Sequence, residues 1–238
     1  PEEAVELHPY LDPSSFIGGI YAPNAQLVAA PMLNGGIQRD AAVGGAARFI
    51  GHTEVLDVEV AGGRVVAVLT SNPGLPRIEC EHVVLATNIW GPLLGDKLGV
   101  PVPLLGYEHQ YIISHPLQAL ARFDRDRPEH EVTLPTIREV DNTLYLRQHW
   151  DSFGIGSYKH APRPVSARRL GQTAKHEFTF SDFLPEAWPQ IQRLFPALRG
   201  TDPQSFPVRY NGIFAFPVDG MPIVGPTAVA GLWTALGS

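Results

Sequence analysis

The sequence predicts an α+β fold whose character changes near residue 100. Up to that point the order is helix, hairpin, continuous apolar run and short helix, which belongs to an α/β layer with a hairpin laid across it. Beyond it, alternating and aromatic-rich runs follow one another with short links, which implies an antiparallel sheet. The 23 glycines and 23 prolines in 238 residues mark many turns and argue against a helical bundle.

Residues 31–43 carry the first helical pattern: Pro31 suits a first helical position, Leu33, Ile37 and Ala41 fall near one face, and Gly44-Gly45 ends it. Residues 53–60 and 64–70 flank Gly62-Gly63 and read as a tight hairpin. A short strand at 78–80 precedes residues 82–87, whose Val83-Val-Leu-Ala86 run has the unbroken apolar character of a strand buried on both faces. Residues 90–98 read as a short helix. Strand patterns then cover 104–114, 134–138, 143–149 and 153–158, with Val140-Asp141-Asn142 as the turn between the second and third. Residues 180–198 are helical in pattern, with Ser181 or Asp182 as cap and Trp188, Ile191, Leu194 and Phe195 as the apolar face. Pro185 and Pro189 confine the regular helix to its second half. Strands at 209–216 and from 232 onward close the chain.

A hydrophobic content of 44% is enough for a sizeable core. Net charge is −6 and the pI about 5.8, with no basic stripe, so nucleic acid and anionic membrane are poor partners. The apolar runs are strand-sized, far short of a membrane span, and residues 1–7 are acidic rather than signal-like. Cys80 is the single cysteine and cannot form an internal disulfide, which fits a reducing, cytoplasmic compartment and a packing role. The nine histidines show neither His-x-x-x-His nor a pairing with Cys-x-x-Cys, so no metal site is expected. The chain opens without a methionine and ends on a strand-like run, so both ends are expected to be cuts in a longer protein.

Several stretches agree with one known pattern. They are Gly18-Gly-Ile-Tyr-Ala-Pro23, His52-Thr-Glu-Val55, Val83-Val-Leu-Ala-Thr-Asn-Ile-Trp-Gly91, Val102-Pro-Leu-Leu105 and Glu108-His-Gln-Tyr111. Further on come Leu144-Tyr-Leu-Arg-Gln-His149, Gly154-Ile-Gly-Ser-Tyr158, Asn211-Gly-Ile-Phe-Ala-Phe-Pro-Val-Asp-Gly220 and Pro222-Ile-Val-Gly225. In this order and spacing, over essentially the whole chain, they resemble the FAD-dependent dimethylglycine oxidase and sarcosine dehydrogenase family of the D-amino-acid-oxidase-like group. The resemblance implies a discontinuous plan. Residues 1–17 lead into the substrate domain, and 18–99 are the middle of an FAD-binding, Rossmann-like domain with a β-meander. Residues 100–209 are the antiparallel substrate domain over the flavin, and 210–238 return, truncated, to the FAD domain. It also implies FAD in the intact parent, and oxidation of the N-methyl group of a secondary or tertiary amine such as dimethylglycine or sarcosine by hydride transfer.

On the expected strand, Tyr107, His109 and Tyr111 share one face, and Glu108 and Gln110 the other. His109 matches the family's active-site histidine, and a histidine able to accept a proton suits an amine that must lose its charge before oxidation; an ordinary sheet histidine is the alternative. Tyr145 aligns with the family's active-site tyrosine and alternates with Arg147 and His149. Arg147 is a candidate partner for a substrate carboxylate or half of a surface salt bridge. Tyr111 joins it as a substrate-side candidate. Gly156 matches a position where backbone approaches the substrate, with a bulge as the alternative. Toward the cofactor the resemblance points to Val55, to Ala86, Trp90 and Gly91, and to Asp219, Gly220 and Gly225 in a loop over the flavin. Asn88 stands where the family usually has a glycine, and residues 21–25 lack its usual acidic Asp-Gly.

The family's Gly-x-Gly-x-x-Gly loop, whose helix amides hold the pyrophosphate, does not occur: Gly35-Gly36, Gly44-Gly45 and Gly62-Gly63 lack its spacing and setting. The expectation is a fragment that keeps the substrate face, does not itself retain FAD, and is inactive without the N- and C-terminal parts of its parent. Its small-molecule partner would be an amine. A non-catalytic amine- or partner-binding protein on the same fold is the alternative.

Overall fold

The computed structural model describes residues 1–171, 173, 175–177 and 187–237. The chain divides into two compact units, Pro1–Tyr21 with Leu104–Gly220, and Ala22–Pro103 with Met221–Ser238. The first unit begins with α1 (Glu2–Leu7), whose acidic first turn suits the positive end of the helix. Six residues give too little periodicity for sequence to reveal it.

The chain then enters the second unit. α2 (Ala30–Val43) carries Pro31 in its first turn as expected, yet it buries no residue, and Leu33 and Ile37 are exposed. β1 (Val55–Ala61) and β2 (Arg64–Thr70) form the expected antiparallel hairpin. Gly62 and Gly63 both take positive φ, 60° and 77°, the twist a two-residue hairpin turn needs. β3 (Arg77–Glu79) pairs with β2, and β4 (Val83–Leu85) follows. A 3₁₀ turn, Asn88–Trp90, leads into α3 (Gly91–Leu98), which stops at Gly99 in the left-handed conformation.

The first unit resumes with β5 (Leu104–Ile113), β6 (Ile137–Glu139), β7 (Leu144–His149), β8 (Ser152–Ser157) and β9 (Pro164–Val165). The helical pattern at 180–198 appears as α4 (Trp188–Leu194), with Pro189 in its first turn, and a 3₁₀ turn at Pro196–Leu198. Ser181, Asp182 and Pro185 lie outside the described residues. β10 (Val208–Pro217) pairs along its whole length with β5. The antiparallel sheet runs β10-β5-β8-β7-β6, and β9 also pairs with β5. One edge of β5 is thus served twice, by β8 at residues 111–113 and by β9 at 106–107, leaving a seam at His109. Beneath one face of the sheet, Ile112, Leu144, Leu146, Phe153 and Ile155 pack with Ile191, Leu194 and Phe195. Each fully buried side chain of this kind contributes roughly 1.5–3 kcal/mol.

Because β10 belongs to this sheet, the return to the second unit falls after Gly220 and not at residue 210. β11 (Ile223–Pro226) and β12 (Leu232–Leu236) join β4 in the order β11-β12-β4, with β12 and β4 parallel. Leu85, Leu94 and Leu232 form part of the core of this unit, and Cys80 packs against it. Val84 is 60% exposed, opposite Trp233, so β4 is not buried on both faces as expected: the alternation of a three-residue strand turns Val84 away from Leu85. Among the described residues, no helix is long and apolar enough to cross a membrane.

Candidate active site

The sheet of the first unit buries one face and leaves the other aromatic. Alternation along β5 puts Tyr107, His109 and Tyr111 on that outer face, as expected, and β10 adds Tyr210, Phe214 and Phe216. Register fixes a row across five strands: Tyr210 opposite Tyr111, Tyr111 opposite Gly156, Gly156 opposite Tyr145, Tyr145 opposite Arg138.

His109 stands beside this row and is 8% exposed. Its Nε2 lies 2.6 Å from the Tyr145 hydroxyl. Its ring stacks on Tyr158 at 4.2 Å and on Tyr145 at 5.6 Å, with Phe214 tilted against it at 4.9 Å. Burial pulls its pKa from 6.5 down to about 4, and the charges of His160 and Arg138 add to this. Burial likewise raises the Tyr145 hydroxyl above its ordinary range. Near neutral pH the pair is therefore uncharged, a hydrogen-bonded couple among aromatic rings.

Gly156 lies beneath the Tyr145 ring. A Cβ there would overlap the Tyr145 ring, so the phenol lies across the strand on a floor that only glycine leaves flat. Gly154 clears the Tyr111 hydroxyl in the same way. Tyr111 stacks on Tyr145 at 5.7 Å with only 7° between planes, and its hydroxyl is 3.0 Å from His149 Nε2. His149 Nδ1 is 3.7 Å from the Glu131 carboxylate, to which Arg147 donates at 2.7 Å. Arg147 thus makes a salt bridge, one of the two roles expected of it. Burial, then the charges of Arg147 and Arg125, also brings His149 to about 4.

The cofactor candidates divide. Ala86 is exposed at the carboxyl end of β4, the end where parallel sheets take ligands. Asn88 adopts φ 44°, the conformation glycine takes freely, and its side-chain oxygen accepts the Gly237 N–H at 3.0 Å. The turn keeps its shape without the family's glycine. Gly220 and Gly225 also have positive φ, 71° and 153°, and nothing lies within 4 Å of where a Cβ would stand at either. Asp219 is exposed in the turn after β10, and Val55, at the head of β1, is exposed too. Of these, Val55, Ala86 and Gly225 belong to the second unit, where their openness fits a flat ring system such as that of FAD. Gly91 does not: it is buried, and a Cβ would meet the Leu236 side chain at 2.9 Å, so its smallness serves helix-to-strand packing. Trp90 is half-buried just ahead of it. The segment expected as a loop over the flavin is partly strand β11, with Gly225 inside it.

Four residues of the site escaped the sequence reading. Tyr158 and Phe214 continue the alternation through Gly156 and Gly212, and that period-two signal could have found them. His160, 6.0 Å from His109 between ring centroids, lies in a loop, and Arg138 reaches the site only through the β6–β7 register. No group of three or more His, Cys, Asp or Glu among the described residues is placed to hold a metal.

Comparisons with known proteins agree with this fold. The family model described as FAD dependent oxidoreductase (DAO) matches residues 1–238. The mitochondrial pyruvate dehydrogenase phosphatase regulatory subunit of Mus musculus is 26% identical over 200 residues, covering 83% of this chain and 21% of that protein. The mitochondrial dimethylglycine dehydrogenase of Mus musculus is 24% identical over 253 residues, covering 100% of this chain and 27% of that protein. Among solved structures, L-proline dehydrogenase from P. horikoshii has the same fold, with a TM-score of 0.79 at 23% identity, covering 100% of this chain and 57% of that one. The chain thus spans between a fifth and a third of the two curated relatives, 21% and 27%.

Proposed function

The chain belongs to the FAD dependent oxidoreductase family, and on that premise we propose that its aromatic sheet face receives a secondary or tertiary N-methyl amine, such as dimethylglycine or sarcosine, for oxidation. The observation that carries this reading is the uncharged His109–Tyr145 couple, 2.6 Å apart, among stacked rings. An amine gives up a hydride only as its free base. The burial that discharges His109 also disfavours an ammonium placed beside it. The Tyr145 hydroxyl and His109 Nε2 supply one donor and one acceptor to orient the nitrogen. Tyr158 and Phe214, packed against the His109 ring, give the amine's methyl groups an apolar surface. FAD, when bound, supplies the hydride acceptor, and Ala86 and Gly225 of the second unit would help to hold it.

Anaerobic addition of dimethylglycine or sarcosine to the FAD-loaded protein should bleach the flavin absorbance, and His109→Ala should slow that step strongly. Equal bleaching in the variant would remove His109 from the reading. A second reading, a non-catalytic amine- or partner-binding role, is favoured by the likeness to a regulatory subunit. It would be preferred if amines bind and no amine bleaches the flavin.

A further inference from the structure

Alternation along β5 turns Glu108 and Gln110 to the face opposite His109. Across these residues the strand passes from one neighbour to the other, since β9 pairs at 106–107 and β8 at 111–113. At this parting Glu108, Gln110, His160 and Arg163 line a cavity of about 10 Å³, about the room that one water needs. Two of its walls carry acceptors. Gln110 is 5% exposed, and its Oε1 is buried without a hydrogen-bond partner among the described residues; the same holds for His160 Nε2. His160 Nδ1 faces the Ala161 carbonyl at 3.0 Å, so Nδ1 carries the ring proton and Nε2 a bare lone pair. Buried acceptors of this kind call for a donor, because leaving them unmet costs the full loss of their hydration. The charges around the cavity are already matched. The Glu108 carboxylate meets Asn211 Nδ2 and His176 Nδ1, each at 3.1 Å, and lies 3.7 Å from the Arg163 guanidinium. A cation would add charge beside Arg163, whereas water brings two donors and no charge.

We propose that this cavity is a binding site for one ordered water, which donates to Gln110 Oε1 and His160 Nε2 and so ties the loop residue His160 to the sheet. His160 is then a positioning residue for His109: its ring, 6.0 Å from that of His109 between centroids, is held at the sheet edge through a residue of the opposite face. A bridging water of this kind is nearly as good as a direct hydrogen bond. The site needs neither substrate nor flavin, so it stands apart from the amine reading.

Oxygen-17 relaxation dispersion on the purified chain counts its long-lived internal waters. Gln110→Met, close in shape and without the carbonyl, should hold one fewer than the wild type and unfold at a lower urea concentration. It should also move the His109 ring resonances; if these stay in place, the positioning role is overturned. An equal water count would overturn the site, and so would a urea midpoint raised by removal of an unmet acceptor. A wild-type His160 found by nitrogen-15 NMR in the Nε2–H form would do the same, since that nitrogen cannot then accept. The salt tested decides between water and a cation. If potassium or ammonium chloride raises the wild-type midpoint above that in choline chloride, and does not do so in Gln110→Met, a cation occupies the cavity and the water is refuted. Should Gln110→Met fail to fold, His160→Phe removes the other acceptor and is read by the same water count and midpoint.

Discussion

Replacing Gly156 by alanine puts a methyl group into space that the Tyr145 phenol occupies, where its Cζ, hydroxyl and Cε1 would all meet the new atom. Gly156 lies in a fully buried stretch of β8, paired with Tyr145 on one side and Tyr111 on the other, so the backbone has little room to retreat. Two responses are open. Forcing the methyl in costs about 1–3 kcal/mol of overpacking. Swinging Tyr145 out loses its hydrogen bond to His109, about 0.5–1.5 kcal/mol, and stacking on Tyr111 and His109, about 0.5–1.5 kcal/mol for each aromatic pair. Either way Gly156→Ala should destabilise the first unit by about 2–3 kcal/mol. The diagnostic is the double variant. Tyr145→Ala removes the three atoms nearest to the methyl at 156, so the double variant should be about as stable as Tyr145→Ala alone. The coupling should then equal that cost, about 2–3 kcal/mol, well above the roughly 0.5 kcal/mol within which independent sites add. Urea midpoints give the totals, and amide hydrogen exchange on β7 and β8 follows this unit separately from the other. Additivity within about 0.5 kcal/mol would refute the account of the glycine floor.

Three further outcomes follow from the same geometry. His8, His109 and His149 all have pKa values brought to about 4 by burial first, against 6.5 unperturbed, so the unfolded chain takes up protons before the folded one. The stability they contribute is complete above pH 6.5 and is lost as pH falls toward about 4; a urea midpoint that stays level between pH 7 and pH 4.5 would contradict this. In Tyr145→Phe the ring remains and the hydroxyl goes, so His109 should still titrate well below 6.5 by NMR, because burial is the larger cause; a return to 6.5 would show that the hydroxyl sets it. Glu131→Gln should free Arg147 and remove a charge partner 3.7 Å from His149 Nδ1, at a cost of about 1 kcal/mol or less given that Arg147 and Glu131 are 30% and 34% exposed. A loss several times larger in urea unfolding would mean that the Tyr111–His149–Glu131 chain acts as one unit.

Local signals were read well where the physics was local. The glycine pair of the first hairpin, the alternation of β5 and β7, and Pro189 in the first turn of α4 all act within a few residues, and their elements appeared at or near the expected positions. His109 and Tyr145 belong to the same class, since alternation on two long strands sends both outward. What escaped depended on register between distant segments. That Gly156 lies beneath a tyrosine, that Arg147 is spent on Glu131 and that Arg138 reaches Tyr145 are consequences of which strand lies beside which. The boundary placed at 210 erred for the same reason, because β10 pairs with a strand about a hundred residues earlier.

The seam in β5 separates two tasks that most sheet sites combine. Between β8 and β9, residues 158–163 run along the sheet edge, and from there Tyr158 and His160 come to His109, while Glu108 N–H donates to Arg163 C=O. A residue gained or lost in that segment would shift the lid over the histidine while leaving every ladder of the sheet in register. Descendants of this fold could therefore explore new ligands by changing the length of one edge loop, with the scaffold's heritable cost close to nil.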